Sequence, residues 1–178
     1  MYKNFDLNLG QISTIFFDVD GIFTDGSLYF MDNGSSMTKF NVYDGMGCIL
    51  LEEAGLELLI LTARHSDAVV KRFKELGITK IFTKVLKKRD FIKDYLKSHN
   101  LAKHEVAFMG DDLQDLAAIN EVGVFFTSSN AIDIVKESAH YVTLKSGGNG
   151  AVREISDLII NSKGSTPLLE FNRYLKKR

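Results

Sequence analysis

Residues 12–26 read ISTIFFDVDGIFTDG, an apolar run that breaks into two aspartates, Asp18 and Asp20, at the mouth of a glycine turn. Ile12 to Phe17 is short, continuous, branched and aromatic. That is the composition of a strand buried on both faces, and such strands belong to parallel sheets covered by helices. Charge is excluded from that environment. The spacing therefore places Asp18 and Asp20 just past the strand's carboxyl end, the rim where open α/β sheets hold their ligands. Alternation along an extended chain puts residues i and i+2 on one side, and two carboxylates facing one pocket repel unless a cation or a shared proton relieves them. A DxD pair alone also reads as two turn aspartates, because Asp favours turns.

The rest of the chain repeats the pattern. Strand-like runs at 56–61, 80–82, 106–109, 122–126 and 141–144 alternate with helical periodicity over 44–54, 67–76, 88–98, 113–120, 131–137 and 151–160. Val69, Phe73 and Leu76 fit a 3.6-residue period, and Gly55 and Gly77 stand where helix C-caps belong. Strand and helix in alternation predict an α/β fold, a three-layer doubly wound parallel sheet. With 178 residues, 45% of them hydrophobic, the chain is expected to form one domain over 1–178. Residues 27–42, SLYFMDNGSSMTKFNV, break the rhythm with two β-like arms around Asp32-Asn33-Gly34-Ser35, a hairpin insertion. Its Leu28, Phe30, Met37 and Phe40 need another surface to bury against, and a second copy of the chain is one candidate. The tail at 164–178 contains the only proline, Pro167, and a mixed apolar and basic end that reads as a docked helix or arm, or as a frayed terminus, with docking expected.

Composition narrows the function classes. A net charge of -1 offers no global field for nucleic acid or an anionic membrane. Cys48 is alone, so neither an internal disulfide nor a cysteine zinc cluster is available, and a reducing compartment suits it. No run approaches membrane-spanning length, and the start MYKNFDLNLG lacks the basic-then-apolar order of a secretion signal. A cytoplasmic protein is expected. Gly45-Met46-Gly47 is a fragment of GxGxxG without the strand-turn context of a dinucleotide fingerprint.

Three further strand ends carry polar residues. Thr62-Ala63-Arg64 offers a hydroxyl and a guanidinium. Lys84 follows the next run, and Lys87, Lys88 and Arg89 open a helix whose positive amino end calls for an anionic partner. Gly110-Asp111-Asp112-Leu113-Gln114-Asp115 is a second acidic cluster. If these strands are neighbours, Asp18, Asp20 and Asp111 form an oxygen-rich site suited to Mg2+, with Thr62 and a lysine around a phosphoryl group. Each residue alone also has a plain role: Thr62 as a strand-end cap, Lys88 on a solvated face, Asp112 and Asp115 as helix caps and charges. Arg64 suits a sugar carboxylate, or a salt bridge to Asp67 or Glu53. Gly147-Gly148-Asn149-Gly150 either lets backbone approach a ligand or forms a turn into the last helix. Thr24, Gly148 and Gly150 join Arg64 as candidate substrate contacts.

This constellation resembles the haloacid dehalogenase superfamily of phosphotransferases. DVDGIFTDG matches its DxDGxxTDG form, Thr62 its small hydroxyl motif, Lys88 its lysine motif and Gly110 to Asp115 its GDDxxD motif, over about residues 12–160. A closer resemblance, through TDGSLYFMDNG, KFNVYDGMGCILLEEAG, LTARHSD and SGGNGAVREISD, is to the capless branch that dephosphorylates 3-deoxy-D-manno-octulosonate 8-phosphate. The resemblance implies no cap domain, a Mg2+ cofactor and a small phosphorylated sugar acid as substrate, in lipopolysaccharide precursor biosynthesis. It implies a homotetramer with active sites at subunit interfaces. It makes Asp18 the nucleophile and a metal ligand, and Asp20 the acid-base and a main-chain metal ligand. Thr62 and Lys88 would hold the phosphoryl oxygens, Asp111 the metal, and Asp112 would support the metal at one remove or through water. One departure stands out: Thr83 to Arg89 reads TKVLKKR in place of a glycine-containing loop, which leaves Lys84 and Lys87 as rivals to Lys88. Two alternatives stay open. One is another acidic sugar phosphate such as 2-keto-3-deoxy-nononate 9-phosphate, though relatives with that preference carry an acidic residue where Arg64 stands. The other is a non-catalytic oligomeric binding module.

Overall fold

The computed structural model describes residues 8–178; the reading of the first ten residues as signal-free falls mostly outside them. In chain order the elements are β1 (Thr14–Phe17), β2 (Tyr29–Phe30), β3 (Ser36–Met37), α1 (Val42–Glu53), β4 (Glu57–Leu61), α2 (Asp67–Glu75), β5 (Ile81–Phe82) and α3 (Lys88–His99). They continue with β6 (Val106–Met109), α4 (Leu113–Leu116), β7 (Val124–Thr127), α5 (Asp133–Ser138), β8 (Tyr141–Val142), α6 (Ala151–Ser162) and α7 (Pro167–Lys176). Six strands form one parallel sheet in the order β5-β4-β1-β6-β7-β8. The order reverses between β1 and β6, and such a switch point opens a crevice at the strands' carboxyl ends.

Alternation within each strand builds the three layers. Ile15 and Phe17 join the apolar cluster of α1, α2 and α6, whereas Phe16 joins the opposite cluster with Ile92 of α3 and Val135 of α5. Phe16 and Phe17 are fully buried, each worth about 1.5–3 kcal/mol of transfer free energy. Asn41 caps α1, its Oδ1 accepting from the Tyr43 N–H at 2.8 Å. Gly55 and Gly77, at φ +86° and +93°, follow α1 and α2 as expected of C-cap glycines. The tail docks: Thr166 caps α7, Pro167 opens it, Phe171 packs on the apolar cluster, and Lys177 bonds Glu53 at 2.6 Å. Among the described residues no helix is long and apolar enough to cross a membrane.

Several expected boundaries shift, among them the strand expected over 141–144, which ends at Val142. The return arm of the hairpin ends before residue 42, because Asn41 caps a helix that Val42 begins. The helix expected over 113–120 stops at Leu116, and a 3-10 turn at Ile119–Glu121 follows. That tighter turn brings the Glu121 carboxylate to Arg89 at 3.0 Å and Lys103 at 3.4 Å. The hairpin forms as read, β2 antiparallel to β3, with Gly34 at φ +80° and the Met31 N–H bonded to the Ser35 carbonyl at 2.8 Å. Within the chain its Phe30 is 70% exposed and its Leu28 54%.

Candidate active site

The parallel ladder runs one residue beyond β1. The Asp18 N–H donates to the Met109 carbonyl at 2.9 Å, after which the Val19 carbonyl accepts from Ile22, Phe23 and Thr24 in a single helical turn. Strand alternation therefore does not govern Asp20. Asp18 is 6% exposed and turns to the interior, whereas the Asp20 side chain is more open, yet both line one cleft of about 300 Å³. Gly21, at φ +79°, lets the turn lie against Asp111: a Cβ there would stand 1.9 Å from Asp111 Oδ2.

Of the three lysines, the structure brings Lys88 to Asp18. Its Nζ lies 2.6 Å from Asp18 Oδ1 and 2.5 Å from Asp115 Oδ1, all three residues buried, while Lys84 and Lys87 are exposed. Two carboxylates thus offset a cation placed on the first turn of α3, the anionic partner that position calls for. Lys84 itself sits at φ +61°, a left-handed conformation that a glycine would adopt more readily.

Asp115 takes a larger part than a helix charge. Its Oδ2 accepts from the N–H groups of Asp111 and Asp112 at 2.9 and 3.2 Å while Oδ1 holds Lys88, so one buried carboxylate fixes both the lysine and the turn after β6. Asp115 stands on the first turn of α4, directly after the loop that carries Asp111. Asp112 goes elsewhere: it caps α4 through a 2.7 Å bond from the Leu113 N–H. Oxygens of Asp18, Asp111 and Asp115 lie within 4.8 Å of one another. Thr127 Oγ1, which donates to the Gly110 carbonyl at 2.6 Å, and Ser128 Oγ, which donates to the Gly21 carbonyl at 3.1 Å, brace the turns from β7. The hydroxyl run Thr127-Ser128-Ser129 at a strand end is the sequence signal for that brace.

Electrostatics make this donor set fit a divalent cation. Burial, then the Asp115 charge, push Asp18 up to about 8 against the pull of Lys88, and burial with Asp115 and Asp112 pushes Asp111 up to about 7. Burial alone would lower Lys88, but Asp18 and Asp115 outweigh it and hold its pKa above the ordinary value. Three carboxylates around one ammonium leave excess negative charge when ionised. A hard cation with oxygen ligands relieves it.

Thr62 lies at the end of β4, buried, with Oγ1 accepting from the Arg64 N–H at 3.2 Å. Arg64 reaches Asp20, Nη1 to Oδ2 at 3.4 Å, and neither of the other partners weighed for it: Asp67 pairs with His65, and Glu53 with Lys177. Asp20, Thr62 and Arg64 also line a second cavity of about 380 Å³ that runs under the hairpin past Ser27 and Tyr29. The structure places three sequence candidates outside both cavities. Thr24 is buried, its Oγ1 accepting from the Gly21 and Gly26 N–H groups. Gly148 donates its N–H to the Ile22 carbonyl at 2.9 Å, and Gly150 caps α6. The polar groups of Thr24 and Gly148 are spent on the turn that carries Asp20, and the Gly150 N–H on Asp44.

Comparisons with known proteins give the family. The sequence profile of haloacid dehalogenase-like hydrolases matches residues 73–155. A 3-deoxy-D-manno-octulosonate 8-phosphate phosphatase of Haemophilus influenzae is 33% identical over 91% of this chain and 90% of that one. The chain belongs to the haloacid dehalogenase-like hydrolases. As such it is a phosphoric monoester hydrolase, with the parallel α/β sheet of that superfamily. Two solved haloacid dehalogenase-like phosphatases show the same fold. The 3-deoxy-D-manno-octulosonate 8-phosphate phosphatase of Moraxella catarrhalis, in complex with magnesium, phosphate and its sugar acid, has TM-score 0.86 and 33% identity, covering 96% of this chain and 95% of that one. The cobalt-bound deoxy-D-mannose-octulosonate 8-phosphate phosphatase of Haemophilus influenzae has TM-score 0.83 and 34% identity, covering 88% and 92%.

Proposed function

We propose that this chain is a magnesium-dependent, cytoplasmic phosphatase that releases phosphate from 3-deoxy-D-manno-octulosonate 8-phosphate in lipopolysaccharide precursor biosynthesis. One observation carries the reading: Asp18 is gripped by Lys88 beside Asp111, in a cleft that opens past Asp20 and Arg64 into a second cavity. The names of the relatives support it, above all the one solved with magnesium, phosphate and the sugar acid.

In this mechanism an Asp18 carboxylate oxygen attacks phosphorus and the bond to the sugar oxygen breaks, giving an aspartyl-phosphate and splitting one slow displacement into two. Asp20 gives its proton to the departing sugar oxygen. It then takes a proton from the water that attacks the aspartyl-phosphate, which frees Asp18 and inorganic phosphate. Thr62 and Lys88 hold the phosphoryl oxygens, where positioning and charge supply most of the acceleration. Asp18, Asp111 and the Asp20 main-chain carbonyl would hold the magnesium, which would offset repulsion between a carboxylate and an anionic phosphate. Asp115 orients Lys88. Arg64, now on Asp20, turns its planar fork to the substrate carboxylate.

A panel of sugar phosphates compared by kcat/KM, with magnesium and with chelator, tests this. The eight-carbon 3-deoxy-2-keto acid phosphate is expected to exceed hexose phosphates by about 10²-fold or more, the discrimination a site reading substrate polar groups reaches. Chelator is expected to remove activity. A preference for hexose phosphates or for the nine-carbon acid overturns the substrate, and full activity in chelator overturns the metal.

One catalytic domain, with the hairpin at 27–42 and the tail at 164–178, is proposed to assemble into a homotetramer whose active sites lie at subunit interfaces. The exposed Leu28, Phe30, Met31 and Met37 of the hairpin, with Val42 and Tyr43 beside it, supply an apolar surface that a second copy would cover. Sedimentation of the purified chain is expected to give a species larger than a dimer, and a fully active monomer overturns the shared site.

A further inference from the structure

We propose that Asp44 is a positioning residue for Asp20, acting through the glycine loop that precedes α6. The proposal rests on the phosphatase reading above. Asp44, in the first turn of α1, is 0% exposed, and a carboxylate that deep is costly unless hydrogen bonds offset it. Its Oδ2 accepts from the Gly150 N–H at 3.1 Å and its Oδ1 from the Arg153 N–H at 3.0 Å. These are N–H groups at the positive amino end of α6.

A local Ser, Thr or Asn at the cap position would satisfy that helix more simply. Instead the cap residue is Gly150 at φ +99°, and the acceptor comes from a helix 106 residues earlier in the chain. The glycines explain why. A Cβ on Gly147 would stand 1.8 Å from the Gly21 carbonyl oxygen, and one on Gly148 2.6 Å from the Thr24 carbonyl carbon. The loop is pressed against the backbone of the turn that follows Asp20. Gly148 also donates to the Ile22 carbonyl at 2.9 Å, and Asn41 Nδ2 donates to the Gly148 carbonyl at 3.4 Å.

Asp20 has little else to hold it. Its carboxylate is partly open and meets Arg64 at 3.4 Å, so its place follows from the backbone turn. That turn is clamped between Asp111, against Gly21, on one side and Gly147-Gly148 on the other. Asp44 fixes the second jaw by tying the loop's far end to α1. Asn41 ties its middle to the same helix start.

A positioning role and a stabilising role separate by leaving group. An alkyl phosphate needs Asp20 to protonate the departing oxygen, whereas a nitrophenolate leaves without a proton. Asp44→Ala is therefore expected to lower kcat/KM for 3-deoxy-D-manno-octulosonate 8-phosphate by about 10–100-fold, the cost of a misplacement near 1 Å. For p-nitrophenyl phosphate the loss is expected to stay within about 3-fold, since the attack itself is untouched. Ile159→Val, a buried change on the same helix, is expected to lower Tm and leave both values alone. Equal losses on the two esters, or no loss on either, overturn the role of Asp44. If Asp44→Ala is recovered unfolded, Asn41→Ala carries the test with the same skew expected, and equal losses there overturn it as well. A wild-type chain that hydrolyses neither ester overturns the phosphatase reading instead.

Discussion

Asp18→Asn is expected to lower phosphate release by about 10⁴-fold or more, the scale of losing a covalent nucleophile, while Tm in metal-free protein stays unchanged or rises. The amide is neutral and cannot form the acyl-phosphate, so the first displacement is lost. Stability moves differently because the native carboxylate is ill at ease. Burial and Asp115 push Asp18 up to about 8, so keeping it ionised in the metal-free site is costly, and a neutral amide of the same shape avoids that cost. Lys88 keeps its second partner, Asp115 at 2.5 Å. A nucleophile held in a destabilising environment is the usual exchange of stability for activity. Phosphate release and a thermal melt on the same preparation check both halves. Near-normal release sinks the assignment of Asp18, and a large drop in Tm shows that the carboxylate is structural.

Lys88→Met has the opposite signature, with stability and activity falling together. Removing the ammonium leaves Asp18, Asp111 and Asp115 packed together without their counter-charge, and breaking a buried pair from one side costs about 3–5 kcal/mol. Loss of the charge beside the phosphoryl group costs a further ~10²–10³ in kcat. The pH dependence has a definite sign. Asp18 and Asp111 sit at about 8 and about 7 in the folded chain against 3.8 for an ordinary Asp. Between these values the folded state holds protons that the unfolded state has lost, so stability of the metal-free protein falls as pH rises from about 4 to about 8 and then levels. Without Lys88 both carboxyls titrate higher still, and the fall continues. The Tm deficit of Lys88→Met is therefore expected to widen between pH 7 and pH 9, and magnesium is expected to narrow it. Melts at those two pH values, with and without the metal, decide it; a deficit that shrinks with rising pH rules out Lys88 as the counter-charge of this cluster.

Much of this was legible in the chain. Ile12 to Phe17 reads as a doubly buried strand because no charged side chain interrupts it, and β1 lies at the centre of the sheet. The same contrast between apolar run and sudden charge marks Thr62, Asp111 and the lysine cluster, and the structure brings Asp18, Asp20, Thr62, Arg64, Lys88, Asp111 and Asp112 to one cleft. Asp18 and Asp20 do share a cleft, but strand alternation does not put them there. The chain leaves the extended state at Val19, and a period of two holds only while it lasts.

What stayed hidden concerns where side-chain tips end. Lys84, Lys87 and Lys88 are equivalent in composition, and only the packing of α3 beneath β1 and β6 sends Lys88 inward. Asp112 and Asp115 both read as helix caps, yet one faces solvent and the other is 1% exposed at the centre of the cluster. Thr24, Gly148 and Gly150 look like ligand contacts because hydroxyls and glycines suit ligands, but they suit a tight turn equally well. By itself the sequence determined the order of strands and helices and the four strand ends that carry chemistry, because burial and charge are set residue by residue along a local pattern. The tertiary structure alone decided which lysine and which third carboxylate meet Asp18, and that Asp44 braces the turn beyond it, because those contacts join elements up to about a hundred residues apart, and their distances follow from packing.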